Sequence, residues 1–144
     1  MSNFISDKTI SKLKYLGIYQ IIGGAIGVLL ILWALLNSQQ LTGLFIMIYL
    51  FMLLFFGFSI YCGTLCIKTK NNALQFSLIN QILQVIGVAM FGFAFKYAAG
   101  IYLTAGLDLT ETFNLKFGAG ISRFDFNFNN ETERLEIDFN FIAL

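Results

Sequence analysis

Three long uncharged apolar runs set the limits on what this chain can fold into. Leu16–Leu36 reads LGIYQIIGGAIGVLLILWALL, with Gln20 as its one polar side chain, and Gly43–Ile67 and Ala73–Phe95 are equally free of charge. At 1.5 Å per residue, about 21 residues cover roughly 30 Å, the thickness of a bilayer's hydrocarbon core. Helical periodicity is not needed when the whole circumference is apolar. The chain therefore reads as a membrane α-helical protein with three transmembrane helices, at about 16–36, 43–67 and 73–95.

Composition agrees. Hydrophobic residues make up 58% of the 144 residues and charged ones 12%, with a mean hydropathy of +0.76. A soluble domain carries about 25% charge. Such a surface cannot be clothed in charge, which excludes a water-soluble monomer, and so apolar a chain is not disordered. Histidine and proline are absent, which removes the commonest general base and metal ligand as well as any rigid Pro-rich linker.

The first run follows Lys8, Lys12 and Lys14, as in a signal peptide. It is longer than a typical apolar signal core, and Asn37-Ser38-Gln39-Gln40 offers no small-residue cleavage site, so it reads as an uncleaved anchor. The lysines also set orientation. The N-terminal segment has three and the connection 68–72 has two, whereas Asn37–Thr42 has none. The positive-inside rule then puts the N-terminus in the cytoplasm, and three spans put the C-terminal tail outside a bacterial inner membrane. Before Asp108 the net charge is +5, and from Asp108 onward it is −4. Tyr15 and Tyr61 fall where inner-interface anchors belong, Trp33 and Tyr97 where outer ones do, and Lys96 can snorkel to the outer headgroups. Residues 1–15 place Phe4, Ile5, Ile10 and Leu13 opposite the lysines, either as an interfacial amphipathic helix or as a solvated extension.

After Phe95 the period changes to two. Phe113, Leu115 and Phe117 alternate with polar residues or glycine, as do Phe124, Phe126 and Phe128, then Leu135, Ile137, Phe139 and Phe141. Gly118-Ala119-Gly120 and Asn130-Glu131-Thr132 read as the turns between them. Ile101, Leu103, Ala105 and Leu107 give a fourth strand. The same residues could prolong the third helix, but a helix from Ala73 to Leu107 would be about 52 Å long, well past a bilayer. Residues 97–144 thus form a small antiparallel β-meander. Ten large apolar residues line one face, and Asp125, Glu136 and Asp138 on the other read as solvated charge. Leaving all ten in water would forfeit roughly 15–30 kcal/mol. The face needs the membrane or its own helices, a copy of itself, or another protein, and the terminal strand reads as an open edge inviting a neighbour. Phe113, Phe117, Phe124, Phe126, Phe128, Leu135, Ile137, Phe139 and Phe141 are its interface candidates; a closed unit resting on the helices is the plainer alternative.

The third run carries Ser77, Asn80, Gln81 and Gln84, and the three amides Asn80, Gln81 and Gln84 share one flank. They serve either as interhelical hydrogen-bonding groups, with Gln20 as partner, or as the lining of a polar path. Gly23 and Gly27 form a close-packing Gly-x-x-x-Gly pattern, and Gly87, Gly92, Ala94 and Ala98 suggest a second close contact. Cys62 and Cys66 read as buried small residues rather than metal ligands. Asn130-Glu131-Thr132 also matches a glycosylation acceptor, a short and unspecific pattern. No nucleophile–base pair, phosphate loop, metal spacing or basic patch for nucleic acid is present in the sequence, so no cofactor and no catalysis are expected.

The stretch Lys12–Gly24, together with Tyr61-Cys62-Gly63 and Ser77–Gln84, resembles a group of small multi-span membrane proteins of Bacteroidetes-type bacteria whose motifs carry no known chemistry. Members of that group continue past the position of Asn140–Leu144 into a further apolar span. The resemblance implies either that the tail strand ends freely or that the sequence is a shortened form. The functional expectation is a structural or accessory subunit of a membrane complex, contacting lipids and partner or sister chains through its β-unit. The alternative is a homo-oligomeric pore lined by Asn80, Gln81 and Gln84.

Overall fold

The computed structural model describes residues 7–37, 43–91, 93–127 and 134–143. Phe4, Ile5, the first connection beyond Asn37, Phe128 and the turn Asn130-Glu131-Thr132 lie outside the described residues.

Helix α1 (Asp7–Asn37) and helix α2 (Gly43–Ile67) are long and apolar enough to cross a membrane, over Lys8–Asn37 and Phe45–Ile67. No break separates residues 7–15 from the apolar run, so the basic segment is the first part of α1 rather than a separate interfacial helix. The helices cross where glycine faces glycine: a Cβ on Gly17 would meet the Gly63 carbonyl at 2.7 Å, and one on Gly24 would meet the Phe56 carbonyl at 2.7 Å. Small residues let backbones approach, and dispersion between them replaces the hydrophobic drive that lipid does not supply.

The third apolar run is not a spanning helix. Helix α3 covers Ala73–Val85 only, about 20 Å of rise against a core of roughly 30 Å. Its continuation, Ile86-Gly87-Val88-Ala89-Met90, is strand β1. Glycine and β-branched residues there disfavour helix, and the segment gains two strand neighbours. The inference that three spans carry the tail outside loses its third span.

Strands β2 (Phe93–Asp108), β3 (Asn114–Asn127) and β4 (Glu136–Asn140) complete an antiparallel sheet of order β1-β4-β2-β3, with β1 also paired to β2. The C-terminal strand is therefore not an open edge, because β4 lies between β1 and β2. Gly118-Ala119-Gly120 is not a turn either. It lies inside β3, opposite Thr104, Leu103 and Tyr102. A Cβ on Gly118 would meet Thr104 Oγ1 at 2.8 Å, and one on Gly120 the Tyr102 hydroxyl at 2.7 Å, so these glycines leave room for facing side chains.

The β2–β3 ladder shifts register between Ala98 and Ile101. Gly100 sits there with φ +105°, a conformation that glycine adopts without steric cost. Before this corner β2 pairs with β1, and after it with β4, while β4 also pairs with β1. Counting each half of the bent hairpin separately, the neighbours run β3 (114–121), β2 (101–108), β4, β1, β2 (93–98), β3 (123–127). The sheet curls into a near-cylinder whose two free edges are the two halves of β3.

The corner docks on α1. Tyr19 donates to the Ile101 carbonyl at 2.6 Å, and Ser122 donates to the Gly23 carbonyl at 3.0 Å. The first half of β2 packs on α2 through rings: Tyr97 and Phe124 against Phe55 and Phe56, Phe126 against Phe51. Tyr97 is buried there, donating to the Phe55 carbonyl at 2.9 Å, and is not an interfacial anchor.

Candidate functional site

Strict alternation puts every side chain of a strand on one of two faces, and here the faces are inverted relative to a soluble sheet. The outward positions are Ile86, Val88, Phe95, Ile101, Leu103, Leu115, Phe117, Ile121, Ile137 and Phe139 and their neighbours. Phe117 is 78% exposed and Phe113 68% exposed. Among the described residues the inward positions are charged, polar, glycine or alanine, with Tyr102 the only large ring. Lys96, Glu136 and Asp138 are only 5%, 6% and 6% exposed. Glu136 and Asp138 are thus not solvated surface charge, and Lys96 does not reach for headgroups.

Registry brings these groups together. Asp108 stands opposite Glu136, Gly106 opposite both Asp138 and Lys116, and Lys96 opposite Asp125. The result is an ionic ladder of alternating sign. Lys116 Nζ bridges Asp108 at 2.5 Å and Glu136 at 2.6 Å. Lys96 Nζ bridges Glu136 at 2.5 Å and Asp138 at 2.7 Å. Arg123 continues it more loosely, 3.9 Å from Asp138 and 3.8 Å from Asp125. Charges this buried are tolerated only when paired and hydrogen-bonded. Hydrogen bonds from Lys116 and Thr110 hold the Asp108 carboxyl well below the ordinary carboxylate range. Burial pushes Glu136 upward, but the bonds from Lys116 and Lys96 outweigh it and the net shift is down. Lys116 is raised by its bonds to Asp108 and Glu136.

A cavity of about 370 Å³ opens at the end of the ladder between Asp108, Glu111, Asn114, Lys116 and Arg134. A second, of about 250 Å³, lies between the two halves of β3 and reaches Lys96, Glu136 and Asp138.

A second polar set joins the helices to the sheet. Gln20 Nε2 donates to Ser77 Oγ at 2.7 Å, Ser59 Oγ to the Gln20 carbonyl at 3.1 Å, and Asn80 Nδ2 to Ser59 Oγ at 3.2 Å. Gln84 Oε1 accepts from the Ala99 N–H at 2.8 Å. Gln20, Ser77, Asn80 and Gln84 are buried, whereas Leu74, Leu78 and Ile82 of the same helix are exposed. Gln81 is partly buried, and its Oε1 lacks a partner among the described residues. Of the Gly-x-x-x-Gly pair, Gly23 lies against the Ala99–Gly100 backbone and Gly27 against the Phe56 ring. Gly27 thus joins Gly17, Gly24 and Gly63 at the helix crossing, while Gly23 serves the corner of the sheet.

The interface candidates divide. Phe124 and Phe126 pack on α2, and Leu135 and Ile137 are partly covered. Phe113, Phe117, Phe139 and Phe141 are exposed. Cys62 and Cys66 are buried free thiols, and among the described residues no group of three His, Cys, Asp or Glu could hold a metal ion. Sequence reasoning missed Asp108, Lys96, Lys116 and Arg123 as a site. The available signal was charge at alternate positions within a strand, Arg123 and Asp125 in β3 and Glu136 and Asp138 in β4. No family model, curated protein or solved structure matches the chain.

Proposed function

We propose that the protein is an integral membrane structural or accessory subunit whose β-unit lies at membrane depth, its ion pairs gathered on the inner face of the sheet and its apolar exterior turned toward lipid and neighbouring chains. One observation carries this reading. The exposed positions of α1, α2, α3 and the β-unit are rich in apolar side chains, while Lys96, Glu136 and Asp138 of the sheet are buried. In water that arrangement forfeits the hydrophobic term and desolvates the ions at once. Against hydrocarbon it is the favourable one, as in membrane-embedded barrels with polar interiors.

Depth follows from the contacts. Phe51 lies in the half of α2 remote from Lys68, Phe55 and Phe56 lie at its middle, and the three carry the β-unit. Lys8, Lys12 and Lys14 share the opposite side with Lys68 and Lys70. The positive-inside rule makes that side cytoplasmic and puts the β-unit toward the outer leaflet of an inner membrane. A pore lined by the third helix has less support, because Asn80 and Gln84 are buried, with Asn80 Nδ2 bonded to Ser59 and Gln84 Oε1 to the Ala99 N–H.

Two measurements test the reading. In liposomes, Trp33→Phe with Phe117→Trp reports on one ring. Quenching by brominated acyl chains and protection from iodide are expected; the reverse pattern removes the membrane-depth placement. Native mass spectrometry after gentle extraction should give a sister or partner chain bound to it. A bare monomer would remove the subunit role.

A further inference from the structure

The two free edges of the near-cylinder belong to one strand, and the gap between them opens the charged interior sideways into the apolar belt. Phe117 and Gly118 line one side of this slot, Arg123 and Asp125 the other. Its charges are ordered by depth. The acids Glu136 and Asp138 lie on the floor at 8% and 9% side-chain exposure, beside Lys96 at 7%. Lys116 is 46% and Arg123 33% exposed, and Arg134 is exposed at the rim. A group entering therefore meets three cations and one carboxylate, Asp125 at 29% exposure, before the buried acids. Arg123 is loosely engaged, since its two ion pairs, at 3.8 and 3.9 Å, are beyond hydrogen-bonding distance. Guanidinium donors suit a phosphate geometrically. The rim is continuous with the exposed rings and aliphatics of Phe117, Leu115 and Ile121, a surface for acyl chains. Both requirements of an amphiphile, an anion-complementary recess and an apolar wall, meet at one place.

The geometry points to a lateral binding site for the anionic phosphate headgroup of a membrane lipid, held by Arg123, Arg134 and Lys116 with its acyl chains lying outside along Phe117. The assignment rests on the membrane reading above. About 250 Å³ of slot takes a headgroup and excludes the chains.

The test uses the full chain in mild detergent, titrated with phosphatidylglycerol, phosphatidylcholine or inorganic phosphate, with bound lipid counted by native mass spectrometry. Phosphatidylglycerol should be retained about tenfold more tightly than phosphatidylcholine, the effect of one or two charge-assisted hydrogen bonds. Arg123→Gln with Arg134→Gln should abolish that preference, while Lys68→Gln with Lys70→Gln should keep it. These variants leave the tight bridges of Lys96 and Lys116 in place, and an unchanged thermal midpoint certifies the fold. Equal retention of both lipids by the wild type, or an undiminished preference in the arginine variant, would overturn the site. Competition by millimolar inorganic phosphate as strong as by lipid would overturn the lipid assignment. A chain that reconstitutes into bilayers yet shows no preference refutes the slot alone; one that does not reconstitute refutes the membrane reading beneath it.

Discussion

Gly106 of β2 lies opposite Asp138 of β4 with no space between them: a Cβ on the glycine would collide with Asp138 Oδ1 and stand 2.5 Å from the Ile137 carbonyl. The curled sheet is too narrow for a side chain at every inward position. Gly87, Gly106, Gly118 and Gly120 supply the emptiness that the charged neighbours fill. Gly106→Ala should therefore push Asp138 away from Lys96 and cost about 1–3 kcal/mol, the range for overpacking a filled interior. The check is the thermal midpoint in mild detergent. An unchanged midpoint would mean that the sheet opens freely there and that the interior is less closed than its contacts imply.

Lys96 is the shared cation of Glu136 and Asp138, all three buried. Removing it leaves Glu136 with Lys116 alone and Asp138 with only the loose contact to Arg123, a loss of about 3–5 kcal/mol for breaking a buried ionic set. Lys96→Met should thus destabilise strongly. Lys96→Met with Glu136→Gln and Asp138→Asn should recover most of the loss, because no uncompensated charge remains. Chemical denaturation of the single and triple variants in the same detergent decides this. A triple variant no better than the single would show that lysine packing, not charge, is what matters.

The ladder also fixes a pH window. Asp108 and Glu136 titrate below their ordinary values in the fold. Their contribution is complete above an unfolded carboxylate pKa of about 4 and disappears as pH falls through the lowered folded values. Lys116 is raised, so its contribution is complete below about 10.4 and disappears as pH rises through the raised value. Stability should be flat between about pH 5 and 10 and fall on both sides. Asp108→Asn should flatten the acid limb, read as midpoint against pH. An acid limb of unchanged steepness would exclude Asp108 from the linkage.

Gln84 is the tie between α3 and the corner of β2, accepting the Ala99 N–H at 2.8 Å where both are buried. Gln84→Leu keeps the volume and deletes the acceptor, leaving that N–H unsatisfied at a cost of about 1–3 kcal/mol. Amide hydrogen exchange at Ala99 should rise in this variant more than at Leu107, which is far from the change. Equal protection at both would show that the bond contributes nothing.

The sequence made part of this legible. Leu16–Leu36 and Gly43–Ile67 are apolar all round, and length alone made them helices. The alternation of Phe113–Phe117 and of Leu135–Phe141 made them strands. Alternation is symmetric, however. A period of two separates two faces without saying which is inside, and the answer depends on the surrounding solvent. Reading Asp125, Glu136 and Asp138 as wet assumed water around a tail that curls against apolar helices. The third run failed for another reason. Ala73–Phe95 is uncharged throughout and continuously apolar from Val85 on, and a buried strand and a membrane helix share that signature. Gly87 and Val88 were the local hint of strand. Gly118 and Gly120 looked like a turn because small residues mark both turns and close approaches, and only the facing Thr104 and Tyr102 distinguish the two.

Gly23 separates the two packing systems of the molecule. A Cβ there would collide with the Ala99–Gly100 backbone of β2, whereas the helix crossing rests on Gly17, Gly24, Gly27 and Gly63. Gly23→Val should therefore lift the β-unit off α1, breaking the Tyr19–Ile101 and Ser122–Gly23 hydrogen bonds, while α1 and α2 stay paired. The loss should be about 1–3 kcal/mol, the usual cost of overpacking. Gly63→Val should have the opposite pattern, separating the helices at Gly17 first. Spin labels placed on α1, α2 and β3 report the three distances in each variant. If Gly23→Val widened the α1–α2 distance and left β3 in place, the corner would not be seated on Gly23, and the depth assigned to the β-unit would fall with it.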